Sequence, residues 1–447
     1  MIRTVVDGND NLGARNKRTA IEILKEGLRS ADPYYSTLNA LNKESKYIED
    51  FDRLVIIGFG KASFKMALAC EKFFGNAIYA GAIMIPRNFI QKGHLRRIEV
   101  LEGTHPIPSK LNVRSSERIL SLVKGLNEKD LVICLISGGG SALFSLPKEG
   151  IGLRDKQKVT KLLLDAGVNI QELNCVRKHI SAVKGGQLAK KIYPARTMSF
   201  IISDVVGDDL SAIASGPTSP DPSTFNDALY ILKRHSLLKR VPRSVIKHLR
   251  LGLEGKVQET PKPGDVVFER VKNVIVANNL SALSSMANKA LSLKIKPLVL
   301  TSYLEGEARE VGKVIGSIAK QIVYRSLPLK PPCAVFFGGE TTVTVTGFGK
   351  GGRNQELALS CAISVRGLTK VTFASIGSDG VDGNSGAAGA VVDGTTIDRA
   401  LGKGLDPFRF LEDNDTNTFF SKLGGCLIQT GPTGTNVSDL AVLLISP

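Results

Sequence analysis

The feature that most constrains this fold is a repeated order of short apolar segments and helical patterns. Apolar runs of strand length end at residues 57, 85, 136 and 202, and each is followed by glycine, serine or proline. Most of these turns lead into apolar residues at three- and four-residue spacing, as in an amphipathic helix. Strands that alternate with helices in this way predict parallel βαβ units, with ligands at the carboxyl edge of the sheet.

A polar, basic and proline-containing stretch over residues 241–272 marks the predicted domain boundary. At 447 residues the chain exceeds the ~250–300 residues at which one hydrophobic core stops growing. We predict an α/β protein with a Rossmann-like, mostly parallel doubly wound sheet in residues 1–245 and a second α/β domain in residues 246–447. Residues 341–346 largely alternate threonine and valine, which predicts an antiparallel strand and a mixed sheet there. The predicted active site lies in the cleft between the domains.

The charge of the chain favours an anionic partner. Its formal net charge is +17 and its isoelectric point is near 9.5, and a positive field concentrates anions. The basic residues lack the repeats, long runs and interleaved aromatic residues that are typical of nucleic-acid-binding tracts. We therefore predict a small anionic substrate and no nucleic acid.

The cysteines and histidines show no metal or redox pattern. The six cysteines lie far apart and mostly inside apolar stretches, which predicts free buried thiols and a cytoplasmic location. His105 and His179 are interpreted as structural, since no histidine has a metal-ligand spacing. No segment approaches the ~20 apolar residues of a membrane helix, so we expect no membrane partner.

The sharpest local signal is the loop Ser137-Gly138-Gly139-Gly140-Ser141 after an apolar strand. Three glycines let the backbone approach a ligand and aim successive N–H groups at it, while the serines add hydroxyl donors. A tight turn between strand and helix is the alternative interpretation. We predict that this loop binds a phosphate or a carboxylate.

Two basic residues follow glycine-rich turns. Lys61 comes directly after Gly60 at the start of a predicted helix, where it can neutralise charge that develops during phosphate transfer. Four glycines between residues 347 and 352 precede Arg353, which adds a bidentate anion ligand at a helix start. The segment around Lys61 matches neither a Walker A loop nor a dinucleotide-binding fingerprint. A solvated lysine is the alternative for Lys61.

Three aspartates follow strands in the same way. Asp204 comes just after the strand that ends at residue 202, and Asp379 and Asp382 lie in the glycine-bounded turn of residues 377–383. Such carboxylates suit Mg²⁺ that is bound jointly with substrate phosphates. A structural turn is the alternative for the last two. We predict all three as metal ligands, and Asp204 or Asp379 as the base that orients a substrate hydroxyl.

In order along the chain, these segments resemble the class II glycerate kinases, the family whose C-terminal half carries the MOFRL domain. The motifs that resemble the family are GFGKAS (58–63), GTHPIP (103–108), LISGGGSALF (135–144), NCVRKHISAVKGGQLA (174–189), ISDVVGDDLSAIASGPTSPDPSTF (202–225), GGETTVTVTGFGKGGRNQELAL (338–359), GSDGVDG (377–383) and TGPTGTNVSDL (430–440). One departure is Asn384-Ser385, where Pro-Thr is expected. It bears on the shape of that loop more than on the chemistry.

The resemblance implies ATP-dependent phosphorylation of D-glycerate at the 2-hydroxyl, with Mg²⁺ or another divalent cation. It also implies that Lys61 and Arg353 are central active-site cations, and that Arg177 and Lys184 meet the glycerate carboxylate or the ATP phosphates. The predicted binding residues are Gly60, Ser137, Gly138, Gly139, Gly140, Ser141, Arg177, Lys184, Glu340 and Asn354. A hydroxypyruvate reductase, another enzyme of small hydroxy acids and a basic nucleic-acid-binding protein are the alternatives. A homodimer is left open.

Overall fold

The computed structural model describes residues 12–87 and 93–447, and its contacts divide the chain into two compact units. The N-terminal unit is Pro33–Val276, and the C-terminal unit combines residues 12–32 with Ala277–Pro447. This division differs from the predicted boundary after residue 245. The reason is that residues 271–277 form a strand of the first sheet, while the first helix packs within the C-terminal unit.

The N-terminal unit contains a six-stranded sheet. Its strands are β1 (Leu54–Phe59), β2 (Ile78–Pro86), β3 (Glu99–Gly103), β4 (Leu131–Ile136), β5 (Arg196–Ile202) and β6 (Val271–Ala277). Their order is β3-β2-β1-β4-β5-β6, and the pairs among β1 to β5 are parallel. This is the strand order of doubly wound dinucleotide-binding folds, so the Rossmann-like prediction is confirmed. Every residue of β1 and β4 is buried, because both faces of these apolar strands are covered.

The helices of the N-terminal unit are α2 (Pro33–Lys43), α3 (Ser63–Phe74), α4 (Lys110–Leu122), α5 (Gly140–Leu143), α6 (Leu153–Asp165), α7 (Ile170–His179), α8 (Gln187–Ile192), α9 (Phe225–Arg234) and α10 (Arg243–Leu253). Two of them begin at capping boxes, which satisfy the free N–H groups of the first turn: Ser109 with Asn112 for α4, and Thr224 with Asp227 for α9. One apolar core packs on the sheet, and a second core lies among α6, α7, α9 and α10.

The C-terminal unit has the predicted mixed sheet. Its strands are β7 (Lys296–Leu304), β8 (Cys333–Gly339), β9 (Val371–Gly377), β10 (Gly389–Asp393), β11 (Leu427–Ile428) and β12 (Asp439–Ile445). Their order is β11-β10-β9-β12-β8-β7, and all pairs are antiparallel except β7 with β8. Because β12 runs opposite to β8 and β9, its first residue lies beside their last residues.

The strand predicted at residues 341–346 is wrong. Thr342 makes one isolated bridge to Glu307, and the next N–H groups donate to side chains: Thr344 to the carboxylate of Glu307 at 3.0 Å and Thr346 to Asn414 Oδ1 at 2.8 Å. These side chains accept the N–H groups that would otherwise bond to a neighbouring strand. The residues therefore form an extended loop beside β8.

The helices of the C-terminal unit are α1 (Leu12–Ser30), α11 (Asn279–Ser292), α12 (Ala308–Arg325), α13 (Arg353–Ser364), α14 (Thr396–Leu401), α15 (Pro407–Glu412) and α16 (Thr416–Leu423). The first of them, α1, packs against α11, β9 and β12. A buried ion pair of 2.8 Å between Lys17 on α1 and Asp393 at the end of β10 fixes it there. All six cysteines are buried free thiols, as predicted. In the described part of the chain, no helix has the length and apolar character needed to cross a membrane.

Candidate active site

In the N-terminal unit, predicted site residues meet at the ends of β1 and β4. The strand order changes direction between these two strands, and ligands of doubly wound sheets bind at such a switch point. The N–H of Lys61, after β1, donates to the carbonyl oxygen of Gly138 at 2.9 Å, and the N–H of Ala62 donates to Ser137 Oγ at 3.0 Å. These bonds hold the turn after β1 against the loop after β4.

Close approach explains two of the glycines in these turns. A Cβ on Gly60 would lie 2.2 Å from Ser137 Oγ, and the φ of +131° at Gly60 is one that other residues rarely adopt. A Cβ on Gly138 would lie 2.5 Å from Oδ2 of Asp204, which follows β5. A larger residue at either position would push these turns apart. Asp204 therefore lies directly against the loop, as the sequence predicts for a residue at this sheet edge.

The loop keeps backbone donors for a ligand. In residues 12–87 and 93–447, the N–H groups of Gly138 and Gly139 have no acceptor in the protein. The ring of His105 lies against Gly139, since its Nε2 is 3.2 Å from the position of a Cβ on that glycine, and Lys61 Cγ is 3.5 Å from the same position. Partial burial and the charge of Lys61 lower the pKa of His105. The sequence interpretation of His105 as purely structural misses this place beside Lys61.

The other end of the loop is held by two cations that the sequence also predicts. Ser141 Oγ accepts hydrogen bonds from Arg177 Nη2 at 2.7 Å and from Lys184 Nζ at 3.1 Å, and it lies 2.8 Å from Ser215 Oγ. Lys184 Nζ also donates to the carbonyl oxygen of Ser141 at 2.7 Å. The hydroxyl of Ser141 is thus an acceptor for two cations, rather than the free donor that the sequence suggests.

Sequence reasoning missed Lys156 on α6. Its Nζ donates to Ser145 Oγ at 3.0 Å, and only 3% of the residue is exposed. Burial, together with the charge of Arg177, lowers the pKa of Lys156 to about 7. A signal was present, because Lys156 lies three and seven residues before the buried Val159 and Leu163 and so shares their helix face.

In the C-terminal unit, Arg353 forms a network of ion pairs with two acids. It begins α13, and its Nε and Nη2 donate to the two carboxylate oxygens of Asp439 at 2.6 and 3.0 Å. Its Nη1 donates to Glu340 Oε1 at 2.6 Å. These bonds use three of the five guanidinium donors, which leaves the others for a ligand. Burial alone would lower the pKa of Arg353, but the bonds and charge of Asp439 raise it.

Asp439 is a second residue that sequence reasoning missed. It begins β12 and pairs with Gly339 and Gly377, the last residues of β8 and β9, which places it at the edge where Glu340 and Asp379 follow. Only 7% of it is exposed, and burial raises its pKa to about 6 in spite of the bonds from Arg353. At neutral pH Asp439 is therefore ionised and orients Arg353. The signal was a carboxylate directly before the last apolar strand.

The contacts of Asp382 account for it as a helix cap. Its two carboxylate oxygens accept the backbone N–H groups of Asn354 and Gln355 at 3.0 and 2.9 Å, and also both side-chain amides. Carboxylate charge is favourable at this end of α13. Its predicted role as a metal ligand has no support in this geometry. Asn354 is buried between Asp382, Asp439 and Ser375, so it holds the two carboxylates in place rather than facing a ligand.

Asp379 is better placed to meet a ligand. It lines a cavity of about 610 Å³ together with Glu340, Arg353 and the glycines of the loop before α13. Its Oδ1 accepts a hydrogen bond from the N–H of Val381 at 3.1 Å. No group of three or more acidic, histidine or cysteine side chains in the described ranges could hold a metal ion by itself. A cation at Asp204 or Asp379 would thus need oxygen atoms of the substrate as further ligands.

Asn384-Ser385, which stands where Pro-Thr is expected, changes the hydrogen bonds of the neighbouring glycine loop. The N–H of Asn384 donates to the carbonyl oxygen of Gly351 at 3.1 Å, and Asn384 Oδ1 accepts the N–H of Gly351 at 2.9 Å. Proline at this position could make neither bond. The asparagine therefore fixes the glycine loop that leads to Arg353.

Comparisons with known proteins cover both units. Residues 19–250 match the family described as a domain of unknown function, DUF4147, and residues 333–439 match the MOFRL family. A glycerate 2-kinase of Pyrococcus horikoshii is 41% identical over 96% of this chain and 97% of its own length. A relative from Agrobacterium vitis, provisionally named a hydroxypyruvate reductase, is 39% identical over 95% of this chain and 93% of its own.

A solved structure agrees with these relatives. The crystal structure of a glycerate kinase from Thermotoga maritima is similar with a TM-score of 0.89 and 39% identity, and the match covers 96% of this chain and 99% of that one. The predicted α/β architecture with two domains is confirmed.

Proposed function

The chain belongs to the glycerate 2-kinase family, and from this we infer that it transfers the γ-phosphoryl group of ATP to the 2-hydroxyl of D-glycerate. The products are 2-phosphoglycerate and ADP. In this reaction the substrate oxygen forms a bond to the γ-phosphorus while the bond from that phosphorus to the β,γ-bridging oxygen breaks. The hydroxyl proton passes to a base.

The observation that carries the proposal is the pair of anion-binding arrangements at two sheet edges. One has Lys61 with the free N–H groups of Gly138 and Gly139, and the other has Arg353 with two donors left for a ligand. Phosphoryl transfer depends mainly on positioning and on neutralising charge on the phosphate oxygens. Fixed cations and backbone donors of this kind supply both.

We assign the transition-state contacts to Lys61 and Arg353. Lys61 is held by its backbone bond to Gly138, so its side chain starts from a fixed point beside the free loop donors. The guanidinium of Arg353 is fixed by Asp439, and its planar fork suits two oxygens of one phosphoryl group. The prediction that the catalytic site lies in the cleft between the domains stays a prediction.

The carboxylates of Asp204 and Asp379 fit a divalent cation, because Mg²⁺ is usually held by one or two carboxylates together with substrate phosphates. When bound, Mg²⁺ neutralises charge on the β- and γ-phosphate oxygens. We propose Asp204, which lies against the loop at Gly138, as the base that accepts the hydroxyl proton. Asp379 then remains as the carboxylate most suited to the cation.

Product identification tests the proposal. The purified protein is incubated with ATP, Mg²⁺ and D-glycerate, and phosphorus NMR is expected to show ADP and 2-phosphoglycerate. A signal of 3-phosphoglycerate would disprove the assignment of the 2-hydroxyl. Oxidation of NADH with hydroxypyruvate, in the absence of ADP formation from glycerate, would show that the protein is a reductase.

A further inference from the structure

Three cations in the interior of the N-terminal unit have no acidic partner in the described stretches of the chain. They are the buried Lys156 and Lys184 and the half-buried Arg177, and no carboxylate lies within ion-pair distance of any of them. Other buried lysines in this protein do have one, since Lys17 lies 2.8 Å from Asp393 and Lys178 lies 3.4 Å from Asp221. The three cations of this cluster therefore differ from Lys17 and Lys178, whose charges are neutralised by an aspartate.

The cluster bonds only to neutral oxygens. Lys156 donates to Ser145 Oγ, and Arg177 and Lys184 donate to Ser141. Arg177 Nε is buried and has no acceptor among the residues that the structure describes. Burial lowers the pKa of Arg177 to about 10. A buried donor without an acceptor is unfavourable, and so is the protonated form of three adjacent basic groups without a counter-charge. A bound anion would accept the free donor and favour the protonated form of the two lysines.

A cavity of about 600 Å³ opens onto two of these cations, Lys156 and Arg177, and its volume is within the usual size range of small-molecule sites. Lys156, Arg177 and Ser141 line its inner part, and three exposed basic residues of α6 line its rim. These rim residues are Arg154, Lys158 and Lys161. Asp165 is the one acidic residue in the lining.

The remaining wall of the cavity is apolar and exposed. Ile107 with its two flanking prolines lies on one side, and Leu164 at the end of α6 also lines the cavity. Both Ile107 and Leu164 are largely exposed, so their side chains are available to contact an apolar part of a ligand. A ligand that matches this cavity has a polyanionic part and a flat apolar part.

We propose that this cavity binds the nucleotide, with the triphosphate of ATP on Lys156, Arg177 and the basic rim, and the adenine between Ile107 and Leu164. This inference rests on the proposed kinase function and adds the place of the phosphate donor. The five basic side chains of the lining fit a triphosphate better than they fit glycerate, which carries a single negative charge. Ser141 lines the cavity, and Gly139, two residues earlier, lies beside Lys61. The loop thus connects the cavity to the residue that we assign to the transferred phosphoryl group.

The test uses Lys156→Met in the full-length protein, because methionine fills a similar volume and removes a buried charge without exposing a new polar group. Calorimetry with ATP alone is expected to show a Kd raised by about 10- to 100-fold, the usual effect of losing a desolvated charged partner. Unfolding of the variant is expected at the temperature of the original protein or above it. The KM for D-glycerate is expected to stay within about twofold, since uniform loss of nucleotide binding leaves the other substrate untouched.

A matched pair of double variants tests the rim. Lys158→Ala with Lys161→Ala is expected to weaken ATP binding several-fold at low salt. Lys233→Ala with Lys239→Ala removes the same charge from exposed lysines of the same unit outside the cavity, and ATP binding should remain unchanged. Hydrogen exchange at residues 107–109 and 162–164 measures protection of the apolar wall. Adenosine should protect these residues less than ATP does, but more than tripolyphosphate does.

Two results would overturn the inference. One is an unchanged Kd for ATP in Lys156→Met, and the other is a raised KM for D-glycerate with normal ATP binding, which would make the cavity the glycerate site. Because ATP binding is measured without turnover, failure of the kinase assay alone would disprove the proposed function and leave the nucleotide site standing.

Discussion

The pair of His179 and Glu259 gives a prediction whose size can be worked out from the structure. His179 ends α7 and is fully buried, with Nδ1 2.8 Å from the carbonyl oxygen of Cys175 and Nε2 2.9 Å from Glu259 Oε1. Burial alone would lower the pKa of His179, but these two acceptors outweigh it and raise the pKa from 6.5 to about 9. With acceptors at both nitrogens, the ring is held as a charged imidazolium.

This rise corresponds to about 3 kcal/mol of free energy of unfolding, at about 1.4 kcal/mol per pH unit. Because the folded pKa is the higher one, the contribution is complete below pH 6.5 and is lost as the pH rises through 9. The pKa of Glu259 is shifted the other way: burial raises it, but the bonds from His179 and nearby N–H groups lower it from 4.5 to about 2. The acid therefore stays ionised throughout this range.

Glu259→Gln keeps the shape of the acceptor and removes its charge. We expect the pKa of His179 to fall, because only the carbonyl oxygen of Cys175 and the charge of Asp221 then act against burial. The loss of stability between pH 6.5 and 9.5 should become smaller accordingly. Carbon-13 labelled histidine NMR measures the pKa, and urea unfolding at pH 6 and 9.5 measures the stability. Glu254→Gln, at an exposed pair with Lys256, is the control and should change neither quantity. Titration of His179 near 6.5 in the unaltered protein would refute the reasoning.

The other predictions concern catalysis and the site glycines. Lys61→Ala and Arg353→Ala should each lower kcat by about 10²- to 10³-fold with an unchanged circular dichroism spectrum, as loss of a transition-state contact does; near-normal turnover would remove that residue from the mechanism. Asp439→Asn should lower kcat by about 10-fold, since a charged hydrogen bond contributes about 1.5–3 kcal/mol to the position of Arg353. An unchanged kcat would mean that the guanidinium of Arg353 is positioned without the charge of Asp439. Gly60→Ala places a Cβ 2.2 Å from a loop serine oxygen and should abolish activity, while Gly75→Ala, also at positive φ but with nothing within 4 Å, should cost only stability; equal effects would contradict the close-approach argument.

The parts of the fold that sequence reasoning predicted are those with purely local signals. The strand β4 ends at the predicted residue 136, because six apolar residues between polar turns need both faces covered. Residues 341–346 alternate as a strand should, yet distant Glu307 and Asn414 take their N–H groups. The place of α1 in the C-terminal unit has no local signal either, since it depends on contacts with strands at the far end of the chain.

The same distinction holds for the site. Lys61 and the loop from Ser137 to Ser141 were predicted because glycines and a cation lie next to each other in the sequence. Asp439 was missed because it acquires its role from Arg353, far along the chain. Lys156 was missed because the cavity that it lines is built from separate segments, including residues 106–108, 141–145 and Arg177. The contacts of Asp382 could not be predicted for a similar reason, since its four amide donors come from α13. Its role as a metal ligand stays a prediction.

The membership of α1 in the C-terminal unit bears on how the protein is made. The N-terminal unit is in effect inserted between this helix and the rest of its own unit, so a chain leaving the ribosome presents α1 long before β9, β10 and β12 exist. Until then the apolar face of α1 must remain uncovered, which makes it a natural target for chaperones. A protein shortened to begin at Pro33 would leave Asp393 buried without Lys17, so only the inserted unit should fold efficiently in it.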